Sequence, residues 1–250
     1  MNEAAKKRME ELFKGTESTL RVTDPEWIEI TANFSQNEVV STGSLTEKER
    51  MLCILSVLLG CQGMGEYQNI LHASLNAGID PIAIREVVYQ ATAYLGIGRI
   101  HDYVIATSEI MKQHGIKLPL EEQATTDENS RFDKGLAKQV ELFGAGIADR
   151  QTNGPILRKN VNRWLADNCF GDYYTRTGLN NKEREMITFC YILAQGGCEN
   201  QLRGHTMGNF GVGNNKEKMY QVVEQCMPYI GYPRTLNAMN IIDEVAGKAE

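Results

Sequence analysis

Cys198, Gln201 and His205 stand at i, i+3 and i+7, a spacing that places all three on one face of a helix. Glu185 lies upstream in an otherwise apolar stretch. A carboxylate beside an imidazole sets its tautomer and raises its basicity, so Glu185 and His205 together could move a proton. A base or imidazolium beside Cys198 would favour the thiolate, the reactive form of the thiol. Each residue also has a plainer reading. A lone helical cysteine can be a small buried hydrophobe, His205 a hydrogen-bonded core residue, and Glu185 an acid favoured by the helix dipole. No Cys-x-x-Cys pair occurs and the four histidines are isolated, so no metal site is expected.

The elements that must position these residues come as an internal repeat. Leu45-Thr46-Glu47-Lys48-Glu49-Arg50, His72, Asn76-Ala77-Gly78, Val87-Val88-Tyr89-Gln90, Tyr94-Leu95-Gly96 and Arg99 make the first copy. Leu179-Asn180-Asn181-Lys182-Glu183-Arg184, His205, Asn209-Phe210-Gly211, Val222-Val223-Glu224-Gln225, Tyr229-Ile230-Gly231 and Arg234 make the second. The offset is 134 at the Lys-Glu-Arg blocks, 133 at the histidines and 135 from the glutamines onward. Glu10-Glu11-Leu12-Phe13 is echoed by Val140-Glu141-Leu142-Phe143. The recurrence makes His72 the twin of His205 and pairs Arg99 with Arg234. Either arginine could bind a substrate carboxylate or serve a structural salt bridge. His101 and His114 have no repeat partner and read as surface residues.

Thr46-x-x-Glu49 is a capping box, and Asn180-x-x-Glu183 is its looser counterpart, which accounts for both glutamates. Asp24-Pro25 and Asp80-Pro81 put a capping acid before a proline at the first helical position. Met51–Leu59 and Met186–Ala194 are apolar nearly all round and should be central helices. A histidine-bearing helix follows each and should end at Gly78 or Gly211. Third helices should start near Pro81 and Asn214, and fourth helices after Gly96 and Gly231. No alternating run supports a strand, so the expected fold class is all-α. The expected organisation is a first unit over 1–114 with its N-terminal helix, a linker over 115–130 and a second unit over 131–250.

The chain has 250 residues, 42% hydrophobic and 23% charged, with a formal net charge of −6 and no basic stripe, so nucleic-acid binding is not expected. No apolar run reaches membrane-spanning length, and Met1–Lys14 reads as an amphipathic helix rather than a signal peptide. Six scattered cysteines fit reduced thiols and a cytoplasmic location.

These motifs together resemble the carboxymuconolactone decarboxylase family, which includes the alkylhydroperoxidase D-type proteins. The carriers are Gly-Leu-x-x-Lys-x-Arg-Glu, a buried helix, a helix with one histidine, Asn-x-Gly, and Gln…Tyr-x-Gly-x-x-Arg. The second copy is nearer, with Phe170 to Leu179 and Tyr229-Ile230-Gly231-Tyr232-Pro233-Arg234. The likeness spans roughly 27–111 and 161–246. It implies two tandem helical units, and a homo-oligomer in which a trimer of the two-unit chain mimics a hexamer of single units. One branch of the family is a cofactor-free carboxy-lyase. The other is a thiol peroxidase that uses a Cys-x-x-Cys pair, an upstream glutamate and a histidine four residues after the second cysteine. Residue by residue, His205 takes the histidine position, Cys198 the first cysteine and Glu185 the glutamate, displaced by one. Gln201 replaces the second cysteine. In the first copy Met51 replaces the glutamate and Gly65 the cysteine.

Three functions follow. The first is a lyase that removes CO₂ from a small carboxylated lactone or related acid without a cofactor. There His205 donates the proton and Arg234 or a backbone amide holds the anion, with Gln201, His72 and Arg99 as further substrate-binding residues. The second is an antioxidant, peroxiredoxin-type activity at Cys198 with an external thiol or Cys190 resolving it. The third is a non-catalytic helical oligomer that binds a small molecule or a protein. The missing second cysteine favours the lyase.

Overall fold

A computed structural model of the chain describes residues 1–16 and 18–247, so the expected end of the second unit at 250 lies outside the described residues. Fourteen α-helices and no strand are found among the described residues. The first half runs α1 (Glu3–Leu12), α2 (Leu20–Thr23), α3 (Pro25–Asn33), α4 (Glu47–Gly60), α5 (Met64–Asn76), α6 (Pro81–Leu95) and α7 (Ile97–Gln113). The second runs α8 (Arg131–Phe143), α9 (Gly146–Asn153), α10 (Lys159–Trp164), α11 (Asn181–Gln195), α12 (Glu199–Gly211), α13 (Lys216–Ile230) and α14 (Tyr232–Ala246). Wide π-helical turns, Phe34–Glu38 and Leu165–Tyr174, precede α4 and α11. No described helix is long and apolar enough to cross a membrane.

Both capping boxes form: Thr46 and Asn180 accept from the amides of Glu49 and Glu183, whose carboxylates reach back to the cap amides. Asp80 caps α6 through the amide of Ile82, whereas the Asp24 side chain makes no cap bond and instead accepts from the Thr23 hydroxyl. Gly78 follows α5 at positive φ as expected. In the second half that role falls to Gly213, and Gly211 is still helical.

α4 and α11 form the centre. Both are buried almost throughout, which the all-round apolarity of their sequences requires. They approach closely at Gly60, where a Cβ would stand 2.7 Å from the Ala194 methyl and 2.7 Å from the Tyr191 carbonyl. One apolar cluster gathers α4 to α7 but takes in Ile187 and Tyr191 from α11. The other gathers α11 to α14 but takes in Cys53 and Val57 from α4. At about 1.5–3 kcal/mol per large apolar side chain removed from water, this shared core binds the halves into one body.

A polar exchange reinforces it. Arg50 of α4 donates to Gln225 of α13 at 3.0 Å, and Arg184 of α11 donates to Gln90 of α6 at 2.6 Å. Each arginine of the repeat thus satisfies the glutamine of the opposite half, the reciprocity of a two-fold interface. Arg184 also pairs at 3.0 Å with the buried Glu86, which Arg176 holds from its other side. Among the described residues Arg50 has only the half-buried Glu47 as its acid.

Replacing Arg184 strands two buried acceptors, so Arg184→Met should cost about 3–5 kcal/mol in urea unfolding, and Arg50→Met clearly less. Equal losses for the two variants would show that the Glu86 pair adds nothing.

Candidate functional site

Glu185 projects from α11 and is wholly buried. It lies past the first turn, where Glu183 is the acid, so the helix dipole does not account for it. Its Oε2 accepts from His205 Nδ1 of α12 at 2.9 Å, and its Oε1 accepts from the Tyr174 hydroxyl at 2.9 Å. The Asn209 side-chain amide ties the two helices together by donating to the carbonyls of Glu185 and His205, at 3.0 and 2.8 Å. The carboxylate fits against α12 only because residue 208 is glycine: a Cβ there would stand 2.3 Å from Glu185 Oε2.

The hydroxyls behind Glu185 are oriented by the donors that feed them. Gln90 Nε2 donates to Thr188 Oγ1 at 2.8 Å, which leaves the threonine proton for Tyr174, 2.7 Å away. Tyr94 donates to Tyr174 at 3.1 Å, and the Cys169 thiol approaches Tyr94 at 3.6 Å. The Tyr174 proton then has one destination, Glu185. Burial, and then the neighbouring thiol, phenol and carboxylate, push Tyr94 well above the usual phenol range. Burial, followed by Glu185, does the same for Tyr174. Burial pushes the Cys169 thiol up to about 12. All three therefore stay protonated and serve as donors. With Nδ1 committed to Glu185, His205 keeps Nε2 for proton exchange. The ring is held edge-on between Tyr94 and Phe143, centroids 5.5 and 5.4 Å away, and keeps 12% of its side chain exposed.

Tyr94 reaches this site from the first half, and Phe143 from the end of α8. α8 lies backbone to backbone on the Leu165–Tyr174 turn, which two glycines permit. A Cβ at Gly135 would meet the Ala166 carbonyl at 2.0 Å, and one at Gly171 the Arg131 carbonyl at 2.3 Å.

The other expected residues sit apart from this pair. Cys198 is the N-cap of α12, with its sulfur against the second apolar cluster and receiving Gln195 Nε2 at 3.2 Å. Gln201 is exposed. Neither bonds to Glu185 or His205. Arg234 donates to the Ala194 carbonyl and Arg99 to Gln195 Oε1 at 3.1 Å. The two repeat arginines thus meet at the C-terminal end of α11, where cations are favoured by the helix dipole. Among the described residues no three His, Cys, Asp or Glu side chains cluster as metal ligands.

The model of the carboxymuconolactone decarboxylase family matches residues 160–244, the stretch that holds Tyr174, Glu185 and His205. Over that stretch the chain is similar to the carboxymuconolactone decarboxylase family. A relative, the 4-carboxymuconolactone decarboxylase of Acinetobacter baylyi strain ADP1, is 26% identical over 120 residues, which is 48% of this chain and 89% of the relative. A candidate gamma-carboxymuconolactone decarboxylase subunit from Burkholderia xenovorans LB400 has the same fold. It superposes with a TM-score of 0.56 over 98% of this chain and 97% of its own, at 16% identity.

Within this carboxymuconolactone decarboxylase fold the first half does not repeat the site. α5 and α12 correspond at an offset of 135 along their whole length. Gly63 and Cys198 are the N-caps, and Gly78 and Gly213 the positive-φ residues beyond the C-caps. One residue has entered the turn before α12, where Gly196 and Gly197 replace Gln62. His205 is therefore opposite buried Ile70, and His72 is opposite exposed Met207. His72 instead bonds His114 at 2.9 Å, so His114 is half-buried rather than a surface residue; His101 is exposed. Glu66 takes the place of Gln201 and borders a separate cavity of about 370 Å³, with Asn69 donating to it at 3.0 Å.

Gly208→Ala should push Glu185 out of line and cost about 1–3 kcal/mol. The ¹⁵N signals of His205 should lose their single-tautomer pattern in this variant; an unchanged pattern would show that Glu185 does not orient the ring. Burial, and then His114, hold the His72 pKa below its ordinary value. The unfolded chain therefore binds that proton more tightly, and native stability falls as pH drops through about 6.5. His72→Gln should flatten the pH dependence of Tm between about pH 7.5 and 5.5.

Proposed function

We propose that the chain is a cofactor-free lyase of the carboxymuconolactone decarboxylase type, acting on a small carboxylated lactone or related acid. The observation that carries this reading is the bond from His205 Nδ1 to the wholly buried Glu185, which leaves Nε2 as a proton carrier. The family match over this segment and the name of the Acinetobacter relative support it.

In such a reaction the carbon–carbon bond to the carboxylate breaks, CO₂ departs, and its electron pair passes into the conjugated carbonyl as an oxyanion. His205 Nε2–H then delivers a proton to carbon and is reprotonated from solvent. Glu185 stabilises the imidazolium while it waits and fixes the direction of Nε2. Tyr174 and Thr188 keep Glu185 aligned, so they are positioning residues. Proton transfer by a placed side chain contributes typically 10²–10⁴-fold. A thiol mechanism finds less support: Cys198 caps a helix against apolar side chains, and Gln201 stands where a resolving cysteine would be.

With 4-carboxymuconolactone as substrate and CO₂ release as the readout, His205→Gln should lower kcat by about 10²–10⁴-fold. Glu185→Gln should lower kcat as well, while Cys198→Ser should leave turnover intact. Full activity in His205→Gln, or peroxide turnover that disappears in Cys198→Ser, would overturn the reading.

A further inference from the structure

We infer that the first half carries a binding site for a small organic carboxylate built on Arg85, separate from the Glu185–His205 pair. Arg85 lines a cavity of about 770 Å³ between α6, α7 and the strap 118–124. The residue is only 8% exposed. Its Nη1 and Nη2 share the single hydroxyl of Ser108 at 3.2 Å, and Nη2 also meets the Met111 sulfur at 3.5 Å. Among the described residues no carboxylate pairs with it. A guanidinium carries five N–H donors and a charge that is costly to bury without a counter-charge. Here the charge, and the donor capacity that Ser108 and Met111 do not take up, are left for something that enters the cavity.

The surroundings define that occupant. Glu86, the buried acid of the cavity wall, is already held by Arg176 and Arg184. Glu121 and Glu122 are exposed on the strap, and Lys112 adds a further cation at the rim. Arg85 and Arg176 both lie against the Tyr89 ring, their guanidinium carbons 5.6 and 5.3 Å from its centroid. The cavity thus has two guanidiniums flanking one aromatic ring, with Ile82, Val104 and Leu118 as apolar wall. A planar carboxylate matches the guanidinium fork, and an apolar ring matches the walls better than the fully hydrated surface of phosphate would. The strap is tied to the segment before α11: the Thr177 amide donates to the Gln123 carbonyl at 3.0 Å, and Thr125 Oγ1 to the Thr175 carbonyl at 2.9 Å. None of this is repeated in the second half, where Tyr220 and Glu224 stand at the positions of Arg85 and Tyr89.

The test is calorimetric titration of the full chain with benzoate, its neutral isostere benzamide, and inorganic phosphate. Benzoate should bind with one site per chain, benzamide at least about 10-fold more weakly, and phosphate not in the same range. Arg85→Met should lose at least about 10-fold in benzoate affinity while its Tm holds or rises, because no acid is left unpaired. Val104→Trp, which fills the cavity from its apolar wall, should lose binding as well. His205→Ala should bind benzoate like the parent, which separates this site from the proposed lyase centre. No benzoate binding by the parent, or undiminished binding by Arg85→Met or Val104→Trp, would overturn the assignment.

Discussion

Everything in this molecule is hung on the contact between α4 and α11. Two helices with no solvent face can exist only inside a core, and each half alone offers one such helix and part of a wrapping. Packing them at Gly60 and Ala194 lets each complete the other's burial. The cost is that Arg50 and Arg184, one turn into these helices, are dragged inside with them. The arginine–glutamine exchange across the halves answers that cost, because it supplies acceptors where water has been excluded.

The same burial sets the chemistry of Glu185. In a dry core a carboxylate draws strongly on any donor within reach, since no solvent competes. Two aligned donors, Tyr174 and His205, take up its two oxygens from opposite sides. Further hydroxyls behind Tyr174 have their protons ordered in turn, from Gln90 through Thr188 and from Tyr94. Gln90 and Tyr94 belong to α6, so the contact that joins the halves also wires the first half into the site of the second.

The helices, their capping boxes and the two buried centres were legible in the sequence because each rests on local spacing. So was the meeting of Glu185 with His205, since an acid inside an apolar helix has to face a partner. Cys198 was harder. The i, i+3, i+7 spacing presumes that all three residues are helical, and Cys198 is the cap, where the chain has not yet entered the helix. Tyr94 and Phe143 were visible only as markers of the repeat, and Tyr174 only within the family-like stretch Phe170 to Leu179. Their convergence on one imidazole depends on how α6, α8 and the π-helical turn pack, and no local pattern encodes that. Gly208 carried no signal of its own, because its reason is a carboxylate 23 residues away in sequence.

The register of α5 against α12 has a consequence for how the two halves have been able to differ. In that register His72 and His205 stand two positions apart, a rotation of about 200° around the helix axis. Alignment by residue type pairs His72 with His205, yet in space the two look in different directions. A duplicated unit can in this way keep a histidine yet turn it toward other surroundings, without disturbing the packed centre. Conversely, the positions that would rebuild the pair in the first half are Met51 and Ile70, two core residues that no comparison of matching histidines would single out.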